Sequence, residues 1–314
     1  MKSPRIFLAV PVALVLGWLA LTSVAGVLAG EMALHPVRRI LGPEAKELAQ
    51  RIAARSHARL SEASITAADG VALRGWKIQP SPGNGDAVIL LHGQSDNREG
   101  MLGYADLLLR HGYSVLLPDA RAHGESGGEI ATYGVKEAGD VRRWFDWVER
   151  ADAPRCVYSL GESMGAAELL ASLGEEPGFC AVVAESSFAS FREASYDRLA
   201  EELNAGAWTG RTLLRPGIEV GFLYARLRYG VNLEQASPQD AVAASTVPVL
   251  LIHGAMDANL PPRHSEMIVA RSASRNRPVV LWEPAEAGHT GAAGAEPKEF
   301  ERRVIGWFEG HGPR

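Results

Sequence analysis

"RCVYSLGESMGAAELLASLG", residues 155–174, decides how this chain is read. The apolar run at 156–160 has the length of a buried strand, and helical periodicity takes over from 164 to 174. Between them GESMG (161–165) sets Ser163 between two glycines. This matches the G-x-S-x-G pattern, in which a sharp strand-to-helix turn lifts a serine hydroxyl out of a sheet. The glycines allow tight dihedrals and close backbone approach. The helix N-terminus that follows favours developing negative charge. So short a pattern also arises by chance. It carries weight only if the chain supplies a base, an orienting acid and an oxyanion site, each in its place.

Outward from this stretch the same alternation recurs. Strands are predicted at 71–79, 87–93, 113–119, 179–186, 247–254 and 278–284, and helices at 103–112, 135–150, 262–273 and 297–310. Short apolar strands alternating with amphipathic helices imply an α/β fold, a mostly parallel sheet with helices on both faces. Residues 187–245 break the alternation with helices at 191–203 and 217–230, and are expected to form a small helical cap over a site. Residues 31–63 read as a helical connector, in which "GPEAKELAQRIAARSHARL" (42–60) places Arg51, Arg55 and Arg59 on its outer faces. The main domain is then expected over 64–314.

Serine is a weak nucleophile unless a base takes its proton. Of nine histidines, His289 lies in "PAEAGHTG" (284–291), a loop after the last predicted strand, where open parallel sheets place reactive groups. His35, His57, His111 and His311 fall in the connector or at helix and chain ends, and His92 and His123 are expected to brace loops by hydrogen bonds. Asp257, in "LLIHGAMDANLP" (250–261), would alone be a turn residue. With Ser163 before it and His289 after it, it completes the order Ser…Asp…His, with the acid fixing the imidazole tautomer. The backbone amides of Met164 and Gln94 are the expected oxyanion donors. Glu162, the variable residue of the elbow, is either a tuner of substrate charge preference or an ordinary paired side chain.

Five ordered segments, "LLHGQSDNR" (90–98), "PDARAHGESGG" (118–128), "LGESMG" (160–165), "IHGAMD" (252–257) and "AGHTG" (287–291), give the chain a resemblance to the α/β-hydrolase superfamily over roughly residues 64–310. "HGQSDNR", "AESSFASF" (184–191) and "ASPQDAV" (236–242) look like bacterial serine hydrolases related to the serine aminopeptidase and prolyl-oligopeptidase-like groups. The resemblance implies a mostly parallel eight-stranded sheet, a lid after the sixth strand, and catalysis by Ser163, His289 and Asp257 with no metal or organic cofactor. A lipase-type HGGG is absent, and no tyrosine stands at position 94.

The composition is that of an ordinary globular protein, and the net charge of −5 gives no basis for a nucleic-acid partner. Residues 6–30 contain no charge, a run long enough for a membrane-spanning helix. Lys2 and Arg5 with the small-residue sites "SVA" (23–25) and "VLA" (27–29) also fit a cleaved signal peptide, but the apolar run exceeds the usual h-region. An uncleaved single-pass anchor over 1–30 is therefore preferred, with the hydrolase domain outside the cytoplasm and secretion as the alternative. Basic residues flank the run on both sides, so the positive-inside rule does not decide orientation. The anchor lies outside every motif, so its deletion is expected to leave hydrolysis intact. For Cys156 and Cys180, two buried free thiols are preferred, with a disulfide left open. The functional expectation is a membrane-anchored serine hydrolase cleaving a carboxylic ester, thioester or small amide. Its partners would be a small acyl substrate and the membrane. An aminopeptidase-like peptidase and a non-catalytic interaction protein are the alternatives.

Overall fold

The computed structural model describes residues 4–175, 178–274 and 278–312, so Lys2 lies outside the described residues. Eight strands form one sheet: β1 (Ala58–Thr66), β2 (Ala72–Pro80), β3 (Ala87–Leu91), β4 (Ser114–Pro118), β5 (Val157–Glu162), β6 (Val182–Glu185), β7 (Val249–Ile252) and β8 (Val279–Trp282). Their order is β1-β2-β4-β3-β5-β6-β7-β8, and β2 alone runs against the others. The helices are α1 (Pro4–Leu34), α2 (Pro43–Arg55), α3 (Leu102–Arg110), α4 (Glu137–Asp152), α5 (Met164–Ser172) and α6 (Phe191–Glu202). There follow α7 (Ala207–Arg211), α8 (Arg215–Tyr229), α9 (Pro238–Ala244), α10 (Arg263–Arg271), α11 (Ala292–Ala295) and α12 (Pro297–Gly310).

The buried strands are apolar on both faces because both faces are covered. Along β3, Val88 and Leu90 pack with Leu108 and Phe308 on one side, while Ile89 and Leu91 pack with Trp144, Leu169 and Ile268 on the other. This two-residue alternation divides the apolar residues between two cores. The nucleophile-bearing β5 lies between β3 and β6, near the middle of the sheet, so its end is held by neighbours on both edges.

Three expectations change. The connector helix stops at Arg55, and Arg59 belongs to strand β1 rather than to a helix face. Residues 58–66 pair one for one with 80–72 through a turn at Gly70, whose φ is +84°. That long-range pairing outweighs the helical reading of 42–60. The cap is narrower than 187–245. It comprises α6, α7 and α8, whereas Val242 of α9 packs into the sheet core beside Leu169 and Ile268. Cys156 and Cys180 are joined in a disulfide, with their Cα atoms 5.8 Å apart, instead of being free thiols. The bridge ties the approach to β5 to the approach to β6.

Helix α1 runs through 31 residues with Pro11 inside it. Its segment 11–34 is long and apolar enough to cross a membrane and is mostly exposed. The helix is not separate from the domain. It packs along α8, and its last residue, Leu34, is buried with Tyr133, Met164 and Phe188.

Candidate active site

Strand β5 delivers Ser163 to the turn before α5 with φ 51° and ψ −117°, a strained conformation for a residue with a side chain. The flanking glycines explain how the turn closes. A Cβ on Gly161 would lie 2.6 Å from the Gly165 carbonyl oxygen, and one on Gly165 would strike the Leu91 and His92 carbonyls. The Ser163 amide donates to Glu185 O at 2.8 Å, fixing the elbow to β6.

His289 approaches from the loop after β8. Its Nε2 lies 2.8 Å from Ser163 Oγ, and its Nδ1 lies 2.8 Å from Asp257 Oδ2. The structure thus brings together three residues 32 and 126 positions apart in a single hydrogen-bonded line. Asp257 is buried, which disfavours its charge. Hydrogen bonds from His253, His289 and the Leu260 amide outweigh that and hold its carboxyl well below the usual carboxylate range. An ionised Asp257 accepts from Nδ1–H and leaves Nε2 free to accept the serine proton.

His253, not singled out from sequence, completes this support. Its ring is buried, with Nδ1 2.7 Å from Ser265 Oγ and Nε2 2.8 Å from Leu260 O and 3.3 Å from Asp257 Oδ2. The signal was its place four residues before Asp257 in "IHGAMD", but only the fold shows the two side chains meeting.

The other expected residues fall around the same cleft, about 320 Å³ in volume, which Gln94, Met164, Tyr133, Phe188, Phe191 and Arg198 help to line. Gln94 and Met164 flank Ser163 from the β3 loop and the first turn of α5. The Gln94 side chain donates from Nε2 to Tyr133 Oη at 3.0 Å, and Tyr133 donates to Ala33 O at 2.6 Å. Tyr133 also stacks on Phe191, with ring centroids 4.1 Å apart. This tyrosine escaped the sequence reading because it lies outside the motif segments, five residues past the end of 118–128, and nothing local marks its contact with Gln94.

His92 and His123 brace loops as expected. His92 Nε2 accepts from the Ala120 amide at 3.0 Å, and His123 Nε2 accepts from the Ser95 amide at 3.1 Å. Burial lowers the pKa of both, that of His123 to about 4, so they stay neutral. His111 pairs with Glu301, and His311 caps α12 through the Trp307 carbonyl, away from the cleft.

Glu162 is neither free nor ordinary. Tyr104 Oη lies 3.2 Å from its carboxylate and 3.0 Å from that of Glu185, so one phenol bridges the half-buried Glu162 and the buried Glu185. Burial, then repulsion from Glu185, pushes the Glu162 pKa up to about 7. Glu185 Oε1 accepts from the Ala292 amide at 2.9 Å. Among the described residues no group of three or more His, Cys, Asp or Glu side chains stands where a metal ion would be held.

Residues 88–303 match the sequence profile of the alpha/beta hydrolase family. The Bacillus subtilis protein YqkD is 29% identical over 207 residues, spanning 65% of this chain and just 65% of YqkD. The Mycobacterium tuberculosis protein Rv2307c is 29% identical over 239 residues, 76% of this chain and 73% of that protein. Among solved structures, the Pyrococcus furiosus esterase Pf2001 is similar with a TM-score of 0.70 at 25% identity, over 90% of this chain and 99% of the esterase. The Pyrococcus horikoshii acylaminoacyl peptidase shares the fold, with a TM-score of 0.62 at 16% identity over 82% of this chain and 42% of the peptidase.

Proposed function

This chain belongs to the alpha/beta hydrolase family, and from that premise we propose that it is a membrane-anchored serine hydrolase acting on a carboxylic ester, thioester or small amide. The observation that carries the reading is the Ser163–His289–Asp257 line, with both links at 2.8 Å, on a strained elbow at the floor of an open cleft.

Ser163 Oγ attacks the acyl carbon while His289 Nε2 takes its proton. Asp257 holds the imidazole through Nδ1–H and stabilises the imidazolium that forms. The amides of Gln94 and Met164 receive the oxyanion. The tetrahedral intermediate collapses as the bond to the leaving group breaks and His289 returns the proton to it. Water then attacks the acyl-serine with His289 again as base, releasing acid and free enzyme.

The anchor is α1, and the Cys156–Cys180 bridge favours an oxidising compartment, with the hydrolase domain outside the cytoplasm. A second reading draws on Asp96, a carboxylate lining the cleft that suits a substrate bearing an amino group, as an aminopeptidase-like enzyme would take.

Labelling with a fluorophosphonate tests the proposal. Wild-type protein is expected to take up one probe at Ser163 and Ser163→Ala none. A folded wild type that stays unlabelled would make the chain a non-catalytic interaction protein. Comparing p-nitrophenyl esters with aminoacyl amides separates esterase from peptidase.

A further inference from the structure

We propose that the cap itself is seated in the bilayer interface, with the α7–α8 corner wedged into the membrane beside α1. The proposal rests on α1 spanning the bilayer.

The register of α1 against α8 supplies the depth. The two helices run parallel and touch through glycines four apart, Gly26 and Gly30 on α1 and Gly217 and Gly221 on α8. A Cβ on Gly221 would lie 2.7 Å from Gly26 O, one on Gly30 would lie 3.5 Å from Gly221 O, and one on Gly217 would strike Thr22 O. Small residues at this spacing let helix backbones approach closely, as in membrane helix pairs. Farther along, Tyr224 and Tyr229 of α8 both donate to Glu31, the first charged residue after the uncharged run. The polar end of α8 therefore lies level with the charged boundary of α1. Its glycine end lies level with residues 22–26, inside the uncharged run.

Eight residues of helix, from 30 back to 22, cover about 12 Å. The uncharged run of 25 residues measures about 37 Å, some 7 Å longer than a hydrocarbon core. If that excess falls at the domain end, the start of α8 sits at or just inside the boundary between headgroups and acyl chains.

The side chains there suit that depth. Trp208 is 69% exposed and Leu213 48%, both at the α7–α8 corner. Single exposed leucines are common on soluble surfaces. A tryptophan and a leucine exposed together at a corner level with the uncharged run of α1 are a different case. A tryptophan belongs at the headgroup level. Arg215, with its side chain 61% exposed, stands at the corner, and a long arginine stem reaches headgroups from such a position. The occupant is the lipid surface rather than a second copy of the chain, because the register with α1 puts this corner at bilayer depth. Phe222 of α8 packs on Phe191 of α6, a wall of the catalytic cleft, with centroids 5.9 Å apart. The cleft is therefore one helix away from the bilayer, placed to receive acyl groups carried by lipid.

The test uses the full chain in phosphatidylcholine vesicles containing doxyl-labelled phosphatidylcholine. Trp208→Cys and Leu213→Cys are labelled with a thiol-reactive fluorophore. Leu16→Cys on the exposed side of α1 reports the span, and Arg150→Cys, exposed near the end of α4 that leads to the start of β5 and so at the end of that strand away from Ser163, reports the aqueous face. The labels at 208 and 213 are expected to be quenched by doxyl lipid roughly two-fold or more beyond the label at 150. If they match the label at 150 while the label at 16 is quenched, the cap is not seated and the span still stands. If the label at 16 is also unquenched, the anchor reading falls together with this proposal.

Discussion

Tyr133 Oη donates to the Ala33 carbonyl at 2.6 Å and accepts from Gln94 Nε2 at 3.0 Å, so the end of α1 is hydrogen-bonded through one phenol to the residue expected to bind the oxyanion. Tyr133→Phe removes both bonds with little change of volume. Losing a buried hydrogen bond costs about 1 kcal/mol, and a loss felt at the oxyanion loop lowers kcat/KM about five- to ten-fold. Unchanged kcat/KM in a folded variant would mean the link is packing alone. Deleting residues 1–30 spares Ala33 but strips α1 from Gly217 and Gly221. Hydrolysis of a soluble ester is expected to fall, against the sequence expectation that it would hold, and a thermal melt should show a lower Tm.

Ser163→Ala is expected to abolish turnover, a loss of about 10⁴–10⁶ in kcat, while circular dichroism shows a folded protein. His289→Ala should lose a similar amount, and the double variant little more, because the two act as a unit. His253→Phe should be milder in rate, since it leaves the 2.8 Å bond from His289 to Asp257 in place. It should be the more destabilising of the three, because it strands Ser265 and the Leu260 carbonyl in the core. Denaturant titrations alongside kinetics separate these effects. A tenth of wild-type rate surviving in Ser163→Ala would remove the nucleophile from the mechanism.

The raised pKa of Glu162 makes stability depend on pH in a definite direction. Its pKa is 4.5 ordinarily and about 7 in the fold, where burial, Glu185 and Asp96 all oppose the charge. The folded state therefore holds a proton that the unfolded state has released. Glu162 contributes its full stability below pH 4.5, and that contribution is lost as pH rises to about 7. Glu162→Gln keeps an acceptor for Tyr104 but cannot ionise. Its Tm relative to wild type should climb between pH 4.5 and 7 and level off above. A gap that does not change with pH would place the Glu162 pKa near its ordinary value.

The Cys156–Cys180 bridge closes a loop of 24 residues and restricts the unfolded chain. Replacing both cysteines with serine is expected to lower unfolding stability by about 3 kcal/mol with the site intact. Urea titration measures the loss. Maleimide labelling of the denatured, unreduced protein checks the premise, and free thiols there would remove it.

What could be read from the chain alone was local or ordered. The strand, elbow and helix of residues 155–174 lie within one short stretch, so periodicity and two glycines expose them. Asp257 and His289 were legible because each follows a recognisable strand and their order along the chain is informative. The connector was misread because residues 58–66 take their strand conformation from partners at 72–80, which no local periodicity reports.

The rest was decided by tertiary structure. Tyr104 meets Glu162 from 58 residues away and Glu185 from 81, and neither pairing leaves a trace in local pattern. Burial of Glu162, the contact of His253 with Asp257, and the seat of Leu34 beside Met164 depend on which surfaces the folded sheet brings face to face. The same holds for the glycines of α1 and α8. Each pair reads as ordinary small residues in its own helix, and only their juxtaposition, nearly 200 residues apart in the chain, packs α1 against the cap. Sequence periodicity records which face of an element is apolar. Which element covers that face is set by packing among all of them at once.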